Sequence, residues 1–131
     1  IGAEIEHSVT AAAERIGASL TDYSVGALFS EAEGELGGHL YVVEFAGDQP
    51  NPSAIAEFGE TLDRALCDTN EDYEAHRADG YGLLAPEIFA LPPGTFAAWM
   101  KSRGQLGGQH KVPRVINDAN LFDGLKAFVT R

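Results

Sequence analysis

The run His39-Leu40-Tyr41-Val42-Val43-Glu44-Phe45 decides the fold. In an extended chain alternate side chains point to opposite faces. Tyr41, Val43 and Phe45 therefore share one face, and Leu40 and Val42 share the other. A strand that is apolar on both faces is covered on both sides, so it belongs in the interior of a sheet with helices packed against it. Upstream, Asp22 to Ser30 alternates, with Tyr23, Val25, Ala27 and Phe29 on one side, and reads as a neighbouring strand. The acidic, glycine-containing stretch Glu31 to Gly38 between the two reads as a turn or loop. Before them, Ile5, Val9, Ala12 and Ile16 recur at helical spacing and Gly17 closes the pattern.

Downstream, Asn51 and Pro52 read as an N-cap followed by a proline in the first helical turn. Ile55, Phe58, Leu62 and Leu66 line one face of the helix that follows, which runs on or kinks through Asp72 toward Arg77. Asp79 to Pro86 is a glycine-containing connection. Glu87 to Leu91 is a short strand stopped by Pro92 and Pro93. Thr95 is placed to cap a helix carrying Phe96, Trp99 and Met100 that ends at Gly104, and Asn117 to cap a last helix with Leu121, Leu125 and Phe128 inward. The order is α-β-β-α-β-α-α. It predicts one α+β domain over residues 1–131, with a small mainly antiparallel or mixed sheet of three to four strands flanked by helices.

Composition narrows the partners. A chain of 131 residues with 44% hydrophobic content is large enough for a real core, burying about two thirds of its unfolded surface. No apolar stretch approaches the roughly 20 residues of a membrane helix, and the start does not read as a signal peptide. Ile1 in place of Met reads as an excised piece or a processed product. Cys67 is the single cysteine, so no internal disulfide forms and a cytoplasmic location is expected. His7, His39, His76 and His110 lack metal-ligand spacing, so no metal site is expected. The net charge is -11, which argues against a nucleic-acid partner because such binding needs a broad basic face.

That charge is unevenly spread. Residues 1–95 carry 3 basic and 18 acidic side chains, whereas residues 96–131 carry 6 basic and 2 acidic. The contrast peaks in Lys101-Ser-Arg-Gly-Gln-Leu-Gly-Gly-Gln-His-Lys-Val-Pro-Arg114, which holds four basic residues and no acid. Gly107 and Gly108 allow backbone shapes that aim amides at an anion. Lys111 is a mobile point charge, and Arg103 and Arg114 are forked donors. It is not the phosphate loop of nucleotide hydrolases, which opens a helix after a strand. On residues alone the segment reads either as a phosphate site or as a surface connection. Asn70, Tyr73 and Arg77 read either as a substrate-facing polar face or as a hydrogen-bonded helix end. No serine sits in a Gly-x-Ser-x-Gly elbow. Cys67 falls in the inward register of its helix, and Trp99 with Phe96 reads as a core anchor.

Several of these pieces together resemble a known family. Pro92-Pro-Gly-Thr-Phe96, Trp99-Met-Lys-Ser-Arg-Gly104 and Gly107-Gly-Gln-His-Lys-Val-Pro-Arg114 are similar to the end of the auxin-responsive (Gretchen Hagen) acyl-acid amido synthetases, within the adenylate-forming enzymes. Gly38-His-Leu-Tyr-Val-Val-Glu-Phe45, Leu62-Asp-Arg-Ala-Leu66 and Asn70-Glu-Asp-Tyr73 with Arg77 match in order and spacing. Ile1-Gly-Ala-Glu4 resembles the family's interdomain hinge without its frequent lysine, and His110 stands where plant members tend to carry an aromatic.

The resemblance implies a mobile C-terminal lid domain of a larger enzyme whose N-terminal domain is its partner and is absent from this chain. It implies activation of a small carboxylic acid by ATP with Mg, then amide formation with an amino acid. Lys111 matches the lysine that enters the site for adenylation, while Gln109, Arg114 and Arg103 are candidates to orient the loop or touch phosphate. The domain alone is expected to be inactive and to carry no cofactor. Two other readings compete: a stand-alone α+β module binding a nucleotide or other small anion, and a protein-interaction domain using its acidic face.

Overall fold

The computed structural model describes residues 2–28, 37–78, 82–104, 114–116 and 119–129. Helix α1 (Gly2–Arg15) buries Ile5, Val9 and Ala12, and Gly17 ends it with φ of 69°, a left-handed conformation open to glycine. Strand β1 (Ser19–Leu28) and strand β2 (Gly38–Ala46) follow. Helix α2 (Pro52–Thr69) starts at Asn51, whose side chain accepts from Ala54 N at 2.8 Å. It buries Phe58, Leu62 and Leu66, three of the four positions expected to face inward. Helix α3 (Glu71–Arg77), strand β3 (Glu87–Leu91), helix α4 (Thr95–Ser102), strand β4 (Val115–Ile116) and helix α5 (Ala119–Val129) complete the chain.

The sheet is mixed, with strand order β3-β2-β1-β4. β1 and β2 are antiparallel, whereas β3 runs parallel to β2 and β4 runs parallel to β1. β2 is interior, as its two apolar faces require. Tyr41, Val43 and Phe45 join Val9, Phe58 and Leu62 in one core under α1 and α2, where the Phe45 and Phe58 rings meet edge to face at 5.5 Å. Val42 joins Leu91, Phe96, Trp99, Phe122 and Leu125 in a second core under α4 and α5, with Leu40 packed against it. Trp99 is thus a core residue in edge contact with Phe96.

Three local readings are refined. β1 begins at Ser19, before the alternating stretch, because a bulge between Leu20 and Asp22 breaks the two-residue period there. Of the two courses read for the helix after Leu66, the structure takes the broken one: Asn70, at φ -143° and ψ 109°, ends α2 and caps α3 by accepting from Tyr73 N at 3.0 Å. Thr95 does not cap α4. Its hydroxyl donates to Pro92 O at 2.7 Å, Gly94 occupies the cap position at φ 89°, and the acceptor for the first-turn amides is Glu44 on β2. The expected Asn117 cap, Phe29, Ser30 and the 31–36 loop lie outside the described residues. Among the described residues no helix is long and apolar enough to cross a membrane.

Candidate functional site

The basic segment is held at both ends. At its start, α4 closes on Arg103, whose backbone N–H donates to Trp99 O and Met100 O, and Gly104 turns the chain away at φ 69°. The Arg103 guanidinium lies 5.0 Å over the Trp99 ring, an arrangement in which the ring quadrupole attracts the cation. At its end, Val25 N donates to Arg114 O at 2.8 Å, stitching the backbone onto β1 just before β4 begins. The Arg114 guanidinium pairs with the Asp22 carboxylate and stacks 4.8 Å over the Tyr23 ring. Gln109 and Lys111 lie outside the described residues. Of the four expected site residues, Arg103 and Arg114 are therefore the described ones, each seated on an aromatic ring at one end of the segment.

Glu44 is what fixes α4. It sits in the middle strand and is 3% exposed. Its two carboxylate oxygens accept from Gly94 N at 3.2 Å and Phe96 N at 2.7 Å. The first-turn amides of a helix have no partners within the helix, and an acidic group there also meets the positive end of the helix dipole. An unpaired buried carboxylate is very costly, so the pairing satisfies helix and strand at once. Asp22 and Glu44 did not stand out in the sequence. A lone acid inside the apolar run 40–45 was the available signal, since burial obliges it to find donors.

Asn70, Tyr73 and Arg77 form the hydrogen-bonded helix end rather than a substrate face. Arg77 gives Asp63 two parallel hydrogen bonds, Nε to Oδ1 at 2.8 Å and Nη2 to Oδ2 at 2.7 Å, and a third to Leu83 O at 3.1 Å. Tyr73 donates its hydroxyl to Asp63 at 2.7 Å, and Asn70 donates to Glu4 on α1 at 2.7 Å. The Arg77 guanidinium holds the Asp63 carboxyl below its ordinary range, and burial with the Asp63 hydrogen bond drives the Tyr73 hydroxyl upward. Burial likewise raises the Cys67 thiol and lowers His39.

A cleft of about 610 Å³ opens between α1, the β1–β4 edge and α5. Its mostly apolar floor is rimmed by Glu4, Asp123, His39 and Lys126, and Lys126 is itself paired with Asp123 at 3.2 Å. Two carboxylates against one paired lysine do not suit an anion. Among the described residues no three His, Cys, Asp or Glu side chains gather as metal ligands.

A mixed four-stranded sheet, two helices on each core, and a basic segment tethered between α4 and β4 define a small α+β domain. The family model of the GH3 family C-terminal domain matches residues 3–120, and the chain belongs to that family. A solved GH3.15 acyl acid amido synthetase is similar in fold, with a TM-score of 0.76 and 23% identity over 95% of this chain. A structure of AtGH3.15 acyl acid amido synthetase in complex with 2,4-DB gives a TM-score of 0.74 and 23% identity over 96% of this chain. The chain spans 23% of the length of each of these solved chains. No curated protein matches it.

Proposed function

We propose that this chain is the C-terminal lid of an ATP-dependent acyl-acid amido synthetase and that Lys111 serves its adenylation step. The observation that carries the reading is the family match over residues 3–120, which takes in the whole basic segment. The tethering of that segment supports it, because its Arg114 end is fixed to β1. In adenylation a carboxylate oxygen attacks the α-phosphorus of ATP, the acyl-adenylate forms, and pyrophosphate leaves. Negative charge moves between phosphate oxygens as this happens. An ammonium placed there stabilises the transition state more than the ground state. An amino acid amine then attacks the acyl carbon and AMP leaves, a step in which no pyrophosphate charge develops. A lysine on a domain that swings can be delivered for the first step and withdrawn for the second.

The guanidinium groups fit phosphate chemistry, since forked donors match phosphate oxygens. Arg103, exposed beside Trp99, is free of any ion pair among the described residues. Magnesium is proposed to arrive with the nucleotide, and the acyl and amino substrates to bind chiefly in the N-terminal domain. Lys111→Ala in the full-length enzyme is expected to slow ATP–pyrophosphate exchange about a hundredfold and to leave amide formation from supplied acyl-adenylate within a few-fold. Equal losses in the two half-reactions would remove the assigned role.

A further inference from the structure

We propose that Asp22 and Glu44 form a carboxylate clamp that holds in register the helix leading into the basic segment and the arginine that ends it, making them positioning residues for adenylation. Its function rests on the proposed role of Lys111. The two acids are direct partners across the β1–β2 ladder. Like charges facing each other across a ladder are unfavourable, so each needs its own cation or donor set: Glu44 has one at the start of the helix that leads into the segment, and Asp22 has one at the segment's last residue. Glu44 takes the N-terminus of α4 through Gly94 N and Phe96 N. Asp22 takes the Arg114 guanidinium. The bulge between Leu20 and Asp22 sets the register that places them opposite each other, and bulges re-aim side chains in this way.

The consequence is geometric. α4 spans only Thr95–Ser102, so a shift at its first turn is passed rigidly to Lys101 and Arg103, the first basic residues of the segment. Arg114, where it ends, is fixed to the adjacent strand. Paired residues on neighbouring antiparallel strands are about 5 Å apart, so both ends refer to one small patch of sheet. Neither acid touches the reacting atoms; both act through the chain they hold.

The test uses the full-length protein with Asp22→Ala, Asp22→Glu, Glu44→Gln and Lys111→Ala. Gln at position 44 presents one acceptor and two donors, so one α4 amide faces a donor. Two readouts separate the clamp from the lysine. The first is the rate of trypsin cleavage after Arg103, Lys111 and Arg114. The clamp requires it to rise several-fold in Asp22→Ala and Glu44→Gln, to stay near wild type in Asp22→Glu, and the melting temperature of Asp22→Ala to be nearly unchanged. The second compares half-reactions: ATP–pyrophosphate exchange is expected to fall about tenfold to a hundredfold while aminolysis of supplied acyl-adenylate falls less than threefold.

Unchanged cleavage in Asp22→Ala overturns the clamp whatever Lys111 does. Accelerated cleavage with both half-reactions slowed alike, or with neither slowed, overturns its positioning role. If Lys111→Ala spares exchange, the reading of Lys111 fails while cleavage still decides the clamp. Should Glu44→Gln fail to fold, Asp22→Ala carries the test, because Asp22 is partly exposed at its side chain.

Discussion

Gly26→Ala is the substitution on which local preference and packing disagree most sharply. Gly26 lies in β1, paired with Leu40 on one side and Ile116 on the other. On backbone grounds alanine should help, by about 0.4–1 kcal/mol, because it restricts the unfolded chain. Packing says otherwise. A Cβ built at Gly26 meets three carbons of the Phe122 ring at 2.5 Å each. Carbon contacts are favourable at about 3.5–4.0 Å, so the ring has to retreat by about 1 Å. It is 4% exposed and packed in the core with Leu125, Ile116 and Val42, which leaves it little room. Overpacking of this kind costs about 1–3 kcal/mol. The clash outweighs the entropic gain, and the net expectation is a loss of about 1–2 kcal/mol.

Urea denaturation followed by circular dichroism measures that loss directly, and a loss of 1.5 kcal/mol lowers the melting temperature of a chain this size by about 5 °C. A double-mutant cycle with Phe122→Leu checks the cause. The smaller side chain should recover much of the Gly26→Ala deficit, giving a coupling of about 1 kcal/mol between the two sites. Stabilisation by Gly26→Ala, or strict additivity of the pair, would refute the claim that the Phe122 ring sits against the strand backbone at this point.

Two further expectations concern titration. Asp63 has its pKa lowered chiefly by the Arg77 hydrogen bond. The stability it contributes is present above the unfolded value of about 3.9 and is lost as pH falls through the lower folded value. The melting-temperature gap between wild type and Asp63→Asn should therefore be largest near neutrality and close below about pH 4, and a gap that persists in acid would contradict the pairing. Tyr23 is pushed up to about 12 by burial, with the Glu6 charge adding to it, and burial raises Tyr41 as well. Their contribution is intact below about pH 10, the unfolded value, and is lost as pH rises through about 12 for Tyr23. Phenolate absorbance of these two should appear only together with alkaline unfolding. Early ionisation in a still-folded protein would show that the rings are solvated.

The fold was legible where one residue pattern had one physical solution. The run 39–45, apolar on both faces, could only be interior, and it occupies the second position of the β3-β2-β1-β4 order. Asn51-Pro52 opened α2 as read, because an Asn cap followed by proline uses side chain and missing N–H in the same turn. Where competing local solutions existed, tertiary structure chose. Thr95 had the right chemistry for a cap, yet its hydroxyl went to Pro92 O and Glu44 supplied the carboxylate across 52 positions of sequence to Phe96 N. No local rule anticipates a cap donated by another strand. A kink before Arg77 was legible as one of two courses, but not that Asn70 makes it, because its role depends on φ and ψ that the flanking helices fix.

The candidate site divides in the same way. A cluster of like charges is visible in a sequence, whereas the opposite charges that receive it are not. Arg103, Lys111 and Arg114 stood out because 4 basic residues crowd a segment of 14 in a chain of net charge -11. Asp22 was one acid among 20. What distinguishes it is a bulge that sets it against Glu44 and a guanidinium brought to it from Arg114, 92 positions on. Both facts arise from pairing between strands distant in sequence. A basic segment therefore announces itself by charge, while the acids that receive it are ordinary ones whose place depends on register. A substitution at Asp22 should be harder to anticipate from composition than one at Lys111, and more informative about how the segment is held.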